Sequence, residues 1–140
     1  MDETAESFVK LVLAVGQHDA DYVDAYFGPE EWKLQAEESA ITLEEIRQRA
    51  SDALGTLTAK PEDSESLMAA RQRFMRKSLE SLVARVDLLS GVPMTFDEES
   101  KAFYDAVAPT LPAEYFQRVL EELDGRLPGD DPVLDRFNAF

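Results

Sequence analysis

The sequence predicts an all-α fold: a compact array of six or seven helices around one long central helix at about residues 61–90. Three observations predict it. Apolar residues recur at the helical i, i+3, i+4, i+7 spacing nearly throughout, no stretch alternates convincingly as a strand, and helix start and stop signals punctuate the chain at short intervals. The 140 residues suit one domain over 1–140, large enough to bury a substantial core.

The first helix is expected over residues 3–17, with Phe8, Leu11, Val12 and Val15 on one face. Val9 and Leu13 widen that face, so neighbours on more than one side are expected to cover it. Residues 20–27 predict a short helix with Asp19 as N-cap. Gly28 then offers the left-handed conformation that ends a helix, and Pro29 suits the first position of the next. Glu30 and Glu31 complement that helix's positive end. Thr42-Leu-Glu-Glu45 is a capping-box signature, opening a helix to about Leu57. Its apolar face is Leu43, Ile46, Ala50, Ala53, Leu54 and Leu57.

The polar turn "AKPEDSES" precedes the long helix, expected from about Pro61 to Ser90 and closed by Gly91 and Pro93. Thr95-Phe-Asp-Glu98 is a second capping box, starting a helix of about ten residues that Pro109 stops. Pro112 starts another, which Gly125 ends, and Asp131-Pro132 opens a last helix carrying Val133, Leu134 and Phe137. The apolar, uncapped ending "RFNAF" predicts that more chain once followed, so that 1–140 would be a fragment of a longer polypeptide.

Composition narrows the function. Twenty-nine acids face fourteen bases, for a formal charge of −15 and an isoelectric point near 4.3. That field repels phosphate backbones and anionic lipid, so neither nucleic acid nor membrane is an expected partner. With no cysteine, disulfides, thiolate zinc sites and a cysteine nucleophile are excluded. The acidic N-terminus is unlike a signal peptide, and the apolar stretch Phe8–Val15 is too short to span a bilayer. A cytoplasmic chain is expected, or one from which a leader has been removed.

Little in the chain specifies chemistry. His18, the sole histidine, follows a predicted helix C-terminus, where a donor or cation serves structure. A catalytic zinc site or a Ser-His-Asp arrangement would need more than that. Asp19, Asp21 and Asp24 lack the alternation, glycine and distal glutamate of a calcium loop. The phosphate-loop, dinucleotide, zincin and nucleophile-elbow motifs are all missing from the sequence. No catalytic, metal or cofactor residue is assigned.

Two clusters invite a functional reading. On the long helix Leu67, Met68, Phe74, Met75, Leu79, Leu82, Val86 and Leu89 project as one apolar arc, with Arg73, Arg76 and Lys77 opposite. Arg71 projects near the middle of the arc and Arg85 near its edge, about 21 Å apart along the axis. A guanidinium on a buried face needs a partner. Both arginines therefore read either as internal ion pairs and snorkelling stems, or as a clamp for an anion in an interhelical groove. The second cluster is "DYVDAYFGPEEW", whose Tyr22, Tyr26 and Trp32 read as packing anchors or as a recessed pocket. The two observations meet in one expectation: Asp21 or Asp24 partners Arg71 or Arg85.

Three stretches, "HDADYVDAYFGPEEW" (His18–Trp32), "LVARVDLLSG" (Leu82–Gly91) and "TFDEESKAFYDA" (Thr95–Ala106), together resemble the N-terminal region of a family of uncharacterised bacterial proteins. Those proteins are longer, and their downstream half carries a gluzincin-type zinc-metallopeptidase-like signature, a His-Glu followed by a Gly-His-His. The resemblance implies a non-catalytic helical scaffold or substrate-cleft domain, with zinc held only by the downstream half. None of the family's metal ligands maps onto a residue here. The implied partner is that downstream domain. The alternative is a stand-alone acidic helical module that binds other proteins, and a weaker one is a small-molecule domain using Arg71 as anion clamp. A homodimer through the C-terminal helix, by Val133, Phe137 and Phe140, is a further expectation.

Overall fold

The computed structural model describes residues 2–57 and 66–139, which form seven helices and no strand. They gather into two compact units, residues up to Val107 and residues from Ala108, a division the sequence reading does not draw. The expected helix start at Pro61 and the apolar Phe140 lie outside the described residues.

In the first unit, α1 (Asp2–Val15) opens with two acids at its positive end and buries Leu11, Leu13, Ala14 and Val15. Leu13, expected only to widen the face, is as buried as Leu11. The α2 helix (Glu30–Ser39) follows Pro29, which occupies the N-cap with ψ 125°, one position earlier than predicted. Ala40 ends it in the left-handed conformation at φ 41°, without a glycine.

Thr42 caps α3 (Leu43–Thr56), accepting from the Glu45 amide at 3.2 Å. The expected reciprocal half is not made, because the Glu45 carboxylate turns to Arg49 at 2.6 Å. Ser66 caps α4 (Leu67–Leu89), its side chain accepting from the Ala69 amide at 3.1 Å. At its far end Gly91, at φ 84°, closes a Schellman turn: Val92 N donates to Asp87 O and Gly91 N to Leu88 O. Helix α5 (Phe96–Tyr104) has the complete capping box, and Asp105 at φ 54° stops it four residues before Pro109.

The core of this unit joins Leu11, Ala14 and Val15 of α1 to Ile46 and Ala50 of α3 and to Met75, Leu79, Leu82 and Val86 of α4. The α4 helix is central, packing against α1, α3 and α5, while α2 rests on α1. Each fully buried aliphatic side chain contributes roughly 1.5–3 kcal/mol. The buried stripe of α4 is narrower than the predicted arc and centred on Met75, Leu79, Leu82 and Val86. Leu67 and Phe74 consequently stand 87% and 68% exposed.

The segment 20–27 is not a helix. It runs as turns, bends and irregular backbone from His18 to Pro29. Long-range contacts override the local helical spacing of these eight residues. Here Asp19 is instead taken up by an ion pair, and Tyr22 is drawn against the core cluster. Gly28 is not left-handed. Its lack of a Cβ serves close approach, since a Cβ there would collide with the Tyr26 ring, whose hydroxyl donates to Pro29 O at 3.2 Å.

The second unit holds α6 (Ala113–Arg126) and α7 (Val133–Ala139), neither of which buries a residue. Gly125 lies inside α6, which ends one residue later. The hairpin is fastened by Arg136, whose side chain is 8% exposed. Its guanidinium donates to the carbonyls of Asp124, Leu127 and Gly129 at 2.8–3.1 Å and pairs with the Asp124 carboxylate. The bonds to Asp124 and Leu127 satisfy carbonyls at the end of α6 that have no partner within the helix. Among the described residues the Arg136 Nε has no hydrogen-bond partner.

Candidate functional site

The sequence-predicted residues do not assemble into one site. Arg85 is a structural anchor: its Nε donates to Asp19 Oδ2 at 2.9 Å and its second amino group to the same oxygen. With side chains 29% and 12% exposed, this ion pair is partly enclosed. It ties the loop after α1 to α4. Tyr22 belongs to the same cluster. Burial pushes its phenol above the usual range, Arg85 opposes that shift, and Asp19 reinforces it.

Arg71 lies elsewhere and is exposed, pairing with the exposed Asp2 at 2.7 Å. The expectation that Asp21 or Asp24 serves these arginines is therefore corrected: the partners are Asp19 and Asp2. Asp21 and Asp24 are exposed, and among the described residues neither makes an ion pair. The physical reason is the missing short helix. In an irregular loop, Asp19 takes the buried position and the later acids project outward. Two arginines already engaged at separate places do not form a shared anion clamp.

His18 Nε2 lies 2.7 Å from Ile41 O, so that nitrogen carries the proton and donates. It links the end of α1 to the segment leading into α3. Arg76, expected on a solvated face among surface acids, donates to Leu57 O at 2.8 Å and so closes the C-terminal end of α3.

Among the described residues of the first unit, two grooves stand out. The larger, about 730 Å³, lies between α1, α2, the segment at Ile41 and Arg49 midway along α3. Its apolar floor includes Leu11, Ala14, Ala36 and Ile41. Trp32 forms one wall, and the Lys10 ammonium lies 5.2 Å from its ring centroid while pairing with Glu6 at 2.8 Å. Glu3 and Glu38 also line it, and among the described residues neither makes an ion pair. Only Trp32 of this set was legible as a candidate. Lys10, Glu3 and Glu38 meet it because α2 folds back on α1, which no local spacing encodes.

The smaller groove, about 570 Å³, is lined by aromatics, among them Phe8, Phe74, Phe103 and Tyr104. Asp105 at its rim receives Lys101 at 2.8 Å and Lys77 at 3.3 Å, and Lys77 also meets Glu80 at 3.2 Å. The hydrogen bond from Lys101, then that from Lys77, holds the Asp105 carboxyl below the usual range. Glu80 and Asp105 raise Lys77. Both lysines of this groove are thus engaged within the chain.

Among the described residues no group of three or more His, Asp or Glu side chains is placed to hold a metal ion. Nor, among them, is any helix long and apolar enough to cross a membrane. Comparison of the chain with protein-family models, curated proteins and solved structures gives no match in any of the three.

Proposed function

We propose that this chain is a non-catalytic helical module that works by contact with other polypeptide, as a scaffold or an interaction domain. One observation carries the reading. Helix α6 is amphipathic, yet Tyr115, Phe116, Val119 and Leu120 on its apolar side are each at least 40% exposed, and nothing on the helix is buried. A contiguous apolar face of this kind marks a surface that other polypeptide covers. Leu134 and Phe137 on α7 add to it.

The narrower reading names the covering polypeptide as a downstream metallopeptidase-like half, which would supply zinc to polarise a peptide carbonyl and activate water. The resemblance of the three stretches supports it. This chain would then shape or brace the substrate cleft and contribute no ligand to the metal. The stand-alone reading draws instead on the acidic, partly apolar groove of α1, α2 and α3.

A photo-crosslinking amino acid placed at Phe116 or Leu120, in the producing cell, tests the reading. Crosslinks to one polypeptide, including a second copy of this chain, are expected at both positions and not at the polar Asp130. No crosslink, or the same pattern at Asp130, would overturn it. The coding sequence after the Phe140 codon separates the two narrower readings. An in-frame His-Glu motif followed by Gly-His-His supports the peptidase scaffold, and an immediate stop codon refutes it.

A further inference from the structure

We propose that the groove between α1, α2 and α3 receives a basic segment of a partner protein, one that carries a lysine or arginine beside an apolar side chain. The proposal rests on the interaction-module reading and gives it a partner chemistry. Four features of the groove point the same way.

Its volume, about 730 Å³, is that of a site for several side chains. Its floor of Leu11, Ala14, Ala36 and Ile41 offers apolar surface to a partner's side chain. Glu3 and Glu38 stand at its rim exposed, and among the described residues neither has an ion-pair partner, in a chain where acids outnumber bases 29 to 14. Finally, the Trp32 ring already carries an ammonium, that of Lys10 at 5.2 Å, which shows that it is placed to attract a cation. A partner lysine would lay its aliphatic stem on the floor and bring its ammonium to Glu3 or Glu38. It would compete with Lys10 for the ring. The overall charge of −15 speeds the approach of such a segment and repels nucleic acid.

Trp32 is the single tryptophan, so its fluorescence reports on this groove alone. The probe is the capped peptide acetyl-Lys-Leu-Lys-Leu-Lys-amide, with its Glu-Leu counterpart and spermidine as comparisons. Saturable change in Trp32 emission is expected with the Lys-Leu peptide only. The double variant Glu3→Gln, Glu38→Gln should weaken binding roughly fivefold, as two partly exposed ion pairs are lost. The variant Glu44→Gln, Glu114→Gln makes the same charge change at exposed positions outside the groove and should leave affinity unchanged. All four positions are exposed, so folding is not at stake.

An unchanged Trp32 signal overturns the proposal. Equal weakening in both double variants also overturns it, since the general acidic surface would then be the attractant. Equal binding of the Glu-Leu peptide removes the role of charge, and equal binding of spermidine makes the occupant a free polyamine. Any of these overturns the proposal and leaves the broader reading to the crosslinks at α6.

Discussion

Ala40 holds a left-handed backbone, φ 41° and ψ 46°, that costs a residue with a Cβ about 1 kcal/mol. Its side chain is exposed, so no packing offsets that cost. Ala40→Gly is therefore expected to stabilise the protein by about 1 kcal/mol less the entropy glycine adds to the unfolded chain, measured by urea unfolding. The Asp19–Arg85 pair acts in the opposite direction. Removing either partner leaves the other partly enclosed and uncompensated, and Asp19→Asn should cost about 2 kcal/mol. A double-mutant cycle with Arg85→Met checks this: the double variant should be less destabilised than the sum of the singles, and strict additivity would show that the two do not interact. By contrast Asp21→Asn and Asp24→Asn, on exposed acids of the same loop, should be nearly neutral.

Helix boundaries divide into those written locally and those decided at a distance. Thr95 and Glu98 stand three apart and complete their box because neither is drawn away: Thr95 N donates to Glu98 Oε2 at 2.7 Å and Glu98 N to Thr95 Oγ1 at 3.3 Å. The backbone hydrogen bond of Thr95, then its hydroxyl, lowers the Glu98 carboxyl below the usual range. A depressed carboxyl stabilises the fold above its unfolded value and loses that contribution as pH falls through its folded value. Acidification below the ordinary carboxylate range should therefore fray α5 first, and Glu98→Gln should flatten that acid limb, followed by circular dichroism. The same signature at Thr42 predicts its helix start correctly but not its reciprocal bond, because Arg49 one turn on competes for Glu45. Helix α2 ends at an alanine and α5 at an aspartate, stops with no glycine or proline to announce them. The segment 20–27 has helical spacing, yet Asp19 and Tyr22 are claimed by α4 and the core. The apolar arc of α4 states that one side is buried, but which part is covered depends on where α1, α3 and α5 land. For the same reason the groove was legible only through Trp32.

At the scale of the whole chain, its two units differ in what they bury. The first has a core in which Val15, Ile46, Leu79, Leu82 and Val86 are fully enclosed. The second fastens its hairpin through one arginine and leaves Tyr115, Phe116, Val119, Leu120, Leu134 and Phe137 exposed. Truncating Leu82 to alanine should therefore cost about 3 kcal/mol, whereas Leu120→Ala should change stability little.

The absence of any buried residue in α6 and α7 has a kinetic consequence. Main-chain amides exchange with solvent deuterium whenever a helix opens, and opening is easy where no buried apolar side chain must leave its neighbours. Amides of Leu79 to Val86 should exchange only on global unfolding, while those of α6 exchange through local fraying at rates insensitive to Leu82→Ala. Slow exchange in α6 at high protein concentration, vanishing on dilution, would reveal a second copy resting on its apolar side.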